Sequence, residues 1–297
     1  MRHMTMFAQR VCSMLVGAFF AGAFAFTALA TSPGAIAFTF TTIDVPGATA
    51  TAAYGVNPAG QIVGEYTDAS GTLHGFLLDK GAFTTIDVPG ATGTGAGGIN
   101  PAGQIVGGYT DASGISHGFL LDKGAFTTID PPGAALPFTF AFGINPVGQI
   151  VGVYVDASNT AHGFLFANGA FTTIDPPGSL FTEALGIDAR GEIVGHYAPP
   201  GGTLSGFLLA KGTFTTFDVP GAFETRGFGI NAAGQIVGDY FDTTGTEHGF
   251  LLDKGTFTTI DVPDALATLP TGINAAGQIV GDYTDASGTQ HGFLATP

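Results

Sequence analysis

Residues 55–66 read GVNPAGQIVGEY, residues 74–77 read HGFL, and residues 83–87 read FTTID. Each string recurs along the chain. FTTID, or FTTFD in one copy, starts at Phe40, Phe83, Phe126, Phe171, Phe214 and Phe257, so the period is 43, 43, 45, 43 and 43 residues. One unit contains four short runs suited to strands. FTTID is aromatic and β-branched, and stops at Val45-Pro46-Gly47, where proline lacks a ladder donor and glycine allows a turn. A second run ends at Val56, before the turn Asn57-Pro-Ala-Gly60; Gln61–Thr67 is the third, and His74–Leu78 the fourth. Apolar residues occupy both parities (Ile62 and Val63, Phe76 and Leu77), which buries both faces of the sheet. Four strands in 40–45 residues is the period of a propeller blade. The expectation is an all-β, six-bladed β-propeller with four-stranded blades of about 43 residues.

The phase of the repeat supports a closed ring. The array begins with FTTID but ends just after His291-Gly-Phe-Leu294, so the last blade lacks an outer strand and the start carries a spare one. Pairing of Phe38–Asp44 beside His291–Leu294 would close the last blade and leave no long edge exposed. An open β-solenoid would leave this complementary phase unexplained.

The unit GxNxxGQIVGxY…HGFL…FTxID resembles the repeat of the HAF family of extracellular repeat proteins, named for a His-Ala-Phe motif. The resemblance covers residues 38–297, with His-Gly-Phe at His74, His117, His162, His248 and His291 and Ser205-Gly-Phe in the fourth copy. It implies export and a propeller-like repeat, and implies no activity.

The first ten residues carry Arg2 and Arg10 and no acid, and the run from Val11 to Ala30 is apolar and uncharged. With small-residue patterns at Ala28-Leu-Ala30 and Ala35-Ile-Ala37, residues 1–30 read as a signal peptide, its cleavage as late as residue 37, and 38–297 as a single propeller domain. Cys12, the single cysteine, lies inside that segment, so a mature chain would hold no disulfide and no thiolate. Loss of Arg2 and Arg10 would leave six basic residues against 23 acidic ones. Such a charge offers no footprint for nucleic acid and none for an anionic membrane surface. The expectation is a secreted or cell-surface monomer.

Catalytic and metal signatures are sparse. HExxH, CxxC, a Walker loop and a GxSxG elbow are all absent from the sequence. One aspartate per unit (Asp44, Asp87, Asp130, Asp175, Asp218, Asp261) precedes a proline-containing turn, and a second set (Asp68, Asp111, Asp156, Asp242, Asp285) sits before Ser/Thr-Gly. Both read as turn residues that accept backbone N–H groups. Neither has the dense spacing of a calcium loop, although calcium is the cofactor these acids would take. The five histidines read as hydrogen-bonded packing residues, with no metal site.

The copies differ most between FTTID and the next Gly-Ile-Asn. Those connections (48–54, 91–97, 134–142, 179–185, 222–228 and 265–271) fall on one face of a propeller, where variable loops on a rigid scaffold carry function. Copy three displays Phe138, Phe140 and Phe142; copies four and five supply Phe181, Glu183, Phe223, Glu224, Arg226 and Phe228; Arg190, Glu192 and His196 depart from the consensus. Aromatic planes beside a few charges suit a carbohydrate or protein ligand, and Phe138, Phe140, Phe181, Glu183, Phe223, Glu224 and Arg226 are expected to line one ligand-binding patch. The expected role is a non-enzymatic binding or scaffold propeller. A glycoside hydrolase or lyase would instead bring two or three carboxylates or histidines from different blades together at the central channel, and a purely structural surface component would bind nothing saturably.

Overall fold

The computed structural model describes residues 37–132 and 134–297, and for residues 135–137 the backbone alone. Strand β1 (Thr39–Ile43) is followed by β2 (Ala50–Val56), β3 (Ile62–Thr67), β4 (Leu73–Asp79) and β5 (Ala82–Ile86), and β2–β5 form one antiparallel meander, blade 1. The pattern repeats in β6 (Gly93–Ile99), β7 (Ile105–Thr110), β8 (Ser116–Asp122) and β9 (Ala125–Ile129), blade 2. Blade 3 is β10 (Ala134–Ile144), β11 (Ile150–Asp156), β12 (Ala161–Ala167) and β13 (Ala170–Ile174). Blade 4 is β14 (Phe181–Ile187), β15 (Ile193–Ala198), β16 (Ser205–Ala210) and β17 (Thr213–Phe217), and blade 5 is β18 (Glu224–Ile230), β19 (Ile236–Phe241), β20 (Glu247–Asp253) and β21 (Thr256–Ile260). Blade 6 takes β22 (Ala267–Ile273), β23 (Ile279–Thr284) and β24 (Gln290–Thr296) from the end of the chain and β1 from its start.

That last pairing closes the ring. Thr39–Ile43 runs antiparallel to Gly292–Thr296, and Asp44 receives His291 across the join. The fold is a six-bladed β-propeller, as the repeat phase implies.

A glycine at each of two positions sets the shape of every blade. Gly64 lies opposite Ala53, and a Cβ there would fall 2.0 Å from the Ala52 carbonyl oxygen and 2.8 Å from the Phe76 ring. The absent side chain lets Phe76 pack flat on the strand, and its equivalents Phe119, Phe164, Phe207, Phe250 and Phe293 are all fully buried. The register then slips between Ala53 and Gly55, leaving Tyr54 as a bulge, and the same slip recurs in all six innermost strands. At the slip the innermost strands of adjacent blades nearly touch. A Cβ on Gly98 would lie 2.5 Å from the Phe142 carbonyl oxygen, and on Gly272 2.5 Å from that of Tyr54.

On the face of the β2–β3 turns, side chains tie neighbouring blades together. Asn57 Nδ2 donates to the Asn100 carbonyl, Asn100 to Asn145, and Asn145 to Asp188, at 3.2–3.3 Å. Asn231 donates to Asn274 and Asn274 to Asn57, at 3.1–3.2 Å. Asp188 has no amide to continue the circuit and instead binds Arg190 Nε at 2.8 Å.

Gly98→Ala is expected to destabilise the ring by about 2–4 kcal/mol, since the methyl meets backbone that cannot yield. Ala59→Gly, in an exposed turn, serves as the control, and chemical denaturation of both variants is the measurement.

Candidate functional site

The bulge re-aims one residue per blade, as bulges do. Tyr54, Gly97, Phe142, Leu185, Phe228 and Thr271 take that place on the innermost strands that surround the bore. Two residues earlier stands a second variable set, each paired across to the residue between glycine and tyrosine of GQIVGxY. The pairs are Ala52/Glu65, Gly95/Gly108, Phe140/Val153, Glu183/His196, Arg226/Asp239 and Leu269/Asp282. Blades 2 and 3 are apolar at this level, Phe140 lying over the two glycines of blade 2. Blades 4, 5, 6 and 1 carry ionisable groups there, nearly all of them buried.

Arg226 organises the cluster. Its Nε donates to Asp239 Oδ1 at 2.8 Å, its Nη2 reaches both Asp239 Oδ2 and, at 2.6 Å, Glu247 Oε1, and its guanidinium lies 4.9 Å from the Phe241 ring and 5.8 Å from that of Phe228. Next to it, His196 Nε2 stands 3.3 Å from Glu183 Oε2 without the alignment of a hydrogen bond, and its ring meets Phe181 and Phe228 at 5.7 and 5.8 Å. Burial, and then the Arg226 charge, push His196 down to about 3, with Asp239 and the Gly227 backbone opposing. In blade 6 Asp282 Oδ2 accepts from Gln290 Nε2 at 2.8 Å, and in blade 1 Glu65 Oε1 accepts from Tyr54 at 2.8 Å. The other oxygens, Asp282 Oδ1 and Glu65 Oε2, are buried without a hydrogen-bond partner. Desolvation raises Glu65, Glu183 and Asp282 to about 7, and raises Glu247 to about 9, where the neighbouring Asp239 adds to the effect.

The seven residues singled out by sequence divide between this cluster and its rim. Phe138 and Phe181 are half-buried and pack with buried Phe140 around Val153 and Ala161. Glu183 and Arg226 are buried within the cluster, and Glu224 is half-buried beside Arg226, its pKa raised by burial. Phe223 is exposed, as are Leu180 and Leu266 at the matching positions of blades 4 and 6. Phe138, Phe140 and Phe181 thus pack together, and Glu183 and Glu224 lie near Arg226, in blades 3–5. Most are not loop residues, however: the innermost strands begin at Ala50, Gly93, Ala134, Phe181, Glu224 and Ala267, so the expected connections are largely strand. Glu65, Asp239, Glu247 and Asp282 are absent from the set that sequence reasoning picks out. Their signal is an acid in a strand whose two faces are both apolar.

The repeated histidines lie elsewhere, on the outer part of the blades. In five blades the ring stacks on tyrosine (Tyr66, Tyr109, Tyr154, Tyr240, Tyr283) at 5.1–5.3 Å. Its Nδ1 bonds the aspartate after FTTI at 2.7–3.0 Å, and its Nε2 approaches the turn aspartate at 3.3–3.7 Å. The aspartates after FTTI thus hold histidine rather than cap their own turns. The second set does cap turns, as Asp68 Oδ1 accepts from the Ser70 and Thr72 N–H groups. Among the described residues no three His, Cys, Asp or Glu side chains converge as a metal-binding group.

No family model matches the chain, and no curated protein does. Solved structures do. The putative TolB from Agrobacterium tumefaciens aligns over 83% of this chain and 90% of its own, with TM-score 0.57 and 13% identity. A triple arginine-to-alanine mutant of AofleA from Arthrobotrys oligospora covers 89% and 88%, with TM-score 0.54 and 15% identity. TolB from Acinetobacter baumannii covers 84% and 64%, with TM-score 0.54 and 12% identity. At such identities the likeness is one of fold.

The buried acids give a pH dependence of definite sign. A carboxyl raised to about 7 holds a proton in the folded chain that the unfolded chain releases near 4.5 for Glu65 and Glu183 and near 3.8 for Asp282, so its contribution is complete below that value and lost as pH rises to about 7. For Glu247 the loss extends to about 9. His162 and His291, raised by their aspartate partners against the effect of burial, act in the same direction. His196 acts oppositely below pH 6.5, one group against five carboxyls, Glu224 among them. Unfolding free energy is expected to fall from pH 5 to 9, each proton-holding group adding a slope of about 1.4 kcal/mol per pH unit within its own window. Urea titrations across that range provide the check, and Glu65→Gln should flatten the curve below pH 7.

Proposed function

We propose that the chain is an exported binding propeller whose ligand, a carbohydrate or peptide, seats at the end of the bore formed by blades 3–5. What supports this reading is the packing of half-buried Phe138 and Phe181 on Phe140, half-buried Glu224 near Arg226, and exposed Phe223 next to it in sequence, with Glu183 and Arg226 buried behind. Aromatic surface beside a few fixed charges is the chemistry of a site that binds by stacking and directed hydrogen bonds. Export rests on the basic and apolar segment of residues 1–30, which lies outside the described residues, and on the resemblance of the repeat to the HAF family.

A second reading has an observation of its own. Carboxyls and a histidine stand at equivalent register positions in four blades, several of the carboxyls held near neutral pH, which is how general acids and bases are made. Against it, Glu183 is only 4% exposed and His196 1%, so proton transfer would need them uncovered, whereas binding can use the half-buried Phe138, Phe181 and Glu224 and the exposed Phe223 with the buried groups behind them. Binding therefore ranks first.

Arrays of glycans and of peptides decide between the readings. Saturable binding weakened roughly tenfold or more by Phe223→Ser, a substitution at the exposed rim, is the expected result. Turnover of an array member that Glu183→Gln abolishes would establish the enzyme instead. No saturable ligand in either array would leave a structural component.

A further inference from the structure

One position per unit, just before the innermost strand, divides the blades. There the backbone N–H donates to the last carbonyl of the second strand at 2.7–2.8 Å, from Thr49, Thr92, Leu180, Phe223 and Leu266. Blade 3 carries its extra residues at this place. In blades 1 and 2 the threonine hydroxyl folds back onto the same carbonyl, at 3.2 Å from both Thr49 and Thr92. The position thus has a structural occupant, a small side chain tied to its own blade. Leu180, Phe223 and Leu266 can make no such bond, and they stand 61%, 55% and 58% exposed. Five large apolar side chains are exposed among the described residues, and three of them hold this one place in the adjoining blades 4, 5 and 6. Apolar residues scattered singly over a surface need no cause, but a run at one register position does.

The charge around these three is of one sign. Phe223 is bonded to the residue before Asp242 and precedes Glu224, and Leu266 is bonded to the residue before Asp285. Leu266 also follows Asp264, which takes a φ of 62° where Gly47, Gly90, Gly178 and Gly221 hold 80–84°. Aspartate tolerates that region less well than glycine, so a carboxylate stands there against the backbone's preference. Within a meander, the turns after the second and fourth strands share one face and the turns after the first and third share the other. Lys80, Lys123, Lys211 and Lys254 follow third strands and Arg190 follows a first strand, so all lie on the face opposite Phe223. Arg226, which does lie toward the Phe223 face, is buried against Asp239 and Glu247. Each of the five repeated histidines lies between two aspartates, so those trios stay negative even with the imidazole protonated. We propose that Leu180, Phe223 and Leu266 form a docking surface over blades 4–6 for a basic polypeptide that presents large apolar side chains between lysines or arginines. The apolar tips meet apolar side chains of the partner, and the acids beside them meet its cations. A second copy of this face would set acid against acid, and an anionic membrane would be repelled in the same way. This partner narrows the ligand class of the binding reading and rests on that reading only in taking the chain for a binding protein. Phe223 is the residue the two surfaces share.

Fluorescence anisotropy of the full chain tests it, with labelled peptides that alternate leucine or phenylalanine with lysine as probes. One control set replaces lysine by glutamine, and another replaces the apolar residues by serine. The expected result is saturable binding of the basic apolar peptides, weakened roughly tenfold or more in the double variant Leu180→Thr, Leu266→Thr. Its melting temperature should not fall, since threonine is the residue that blades 1 and 2 use there. Asp264→Gly, which restores the common glycine, should weaken binding by a smaller factor and reduce its dependence on salt. That variant keeps the test open if the double variant fails to fold. No binding, equal binding of either control set, or binding unchanged in the double variant would each overturn the proposal. Self-association of the chain that the double variant abolishes would also overturn it, by making a second copy the occupant. An array ligand sensitive to Phe223→Ser but not to the double variant, with no basic peptide bound, would sink this surface and leave the site in blades 3–5 standing.

Discussion

The tightest constraint in the molecule is the contact of six innermost strands around the bore. At Gly55, Gly98, Gly143, Gly186, Gly229 and Gly272 a Cβ would stand 2.5–3.0 Å from a carbonyl oxygen of the next blade. Backbone against backbone leaves no side chain to yield, so glycine is required by the approach itself rather than by a turn. The approach also fixes the bulge, because the register slips just before each of these glycines. The bulge in turn decides which residue of each unit faces the bore and which pair of residues stands in the layer above it. Site chemistry is therefore written at positions set by ring closure, where the copies differ most.

This explains what the sequence discloses and what it conceals. Glycine, the Phe76-type aromatic and FTTID are needed by every blade, so they repeat, and their repetition reveals blade, count and phase. The first half of each innermost strand is different. ATAAYG, GTGAGG and ETRGFG are small, polar or glycine-rich, with little of the β-branched and aromatic character of strands. They are strands because β3, β7 and β19 offer complete ladders beside them, a tertiary cause that no local propensity expresses. Hence the variable stretches read as loops, and sequence places Glu183 and Arg226 in the right group but on the wrong kind of element. The hidden acids are masked in another way. Glu65, Asp239 and Asp282 each occupy the single variable place in a string otherwise nearly constant, so the constancy of GQIVGxY draws attention from the one letter that varies.

The aspartate after FTTI shows the same limit on a smaller scale. His74 and Asp87 are 13 residues apart, and the equivalent spacing holds for His117, His162 and His248. The spacing is visible in sequence, but its meaning depends on the hairpin between β4 and β5, which brings Gly75 opposite Ile86 and so sets the two side chains together. Across the join the pair is His291 with Asp44, almost the whole chain apart, and only ring closure relates them. Where the histidine is missing, in blade 4, Ser205 and the Ala198-Pro-Pro turn stand in its place.

Charge in the bore calls for a reason beyond stability. Ion pairs withdrawn from water rarely improve on well-packed apolar groups of the same volume, because desolvation consumes most of the attraction. Blades 2 and 3 make the comparison within one chain: their own residues in this layer are uncharged, Phe140 covers Gly108 and reaches Gly95, and the ring closes there as well. Nothing in the geometry of a blade thus demands Glu65, Glu183, Asp239, Glu247 or Asp282. Their concentration in four consecutive blades, around a single arginine, makes one side of the bore chemically unlike the other. Blades 4, 5, 6 and 1 thus differ in chemistry from blades 2 and 3 at positions where the fold itself asks for no difference.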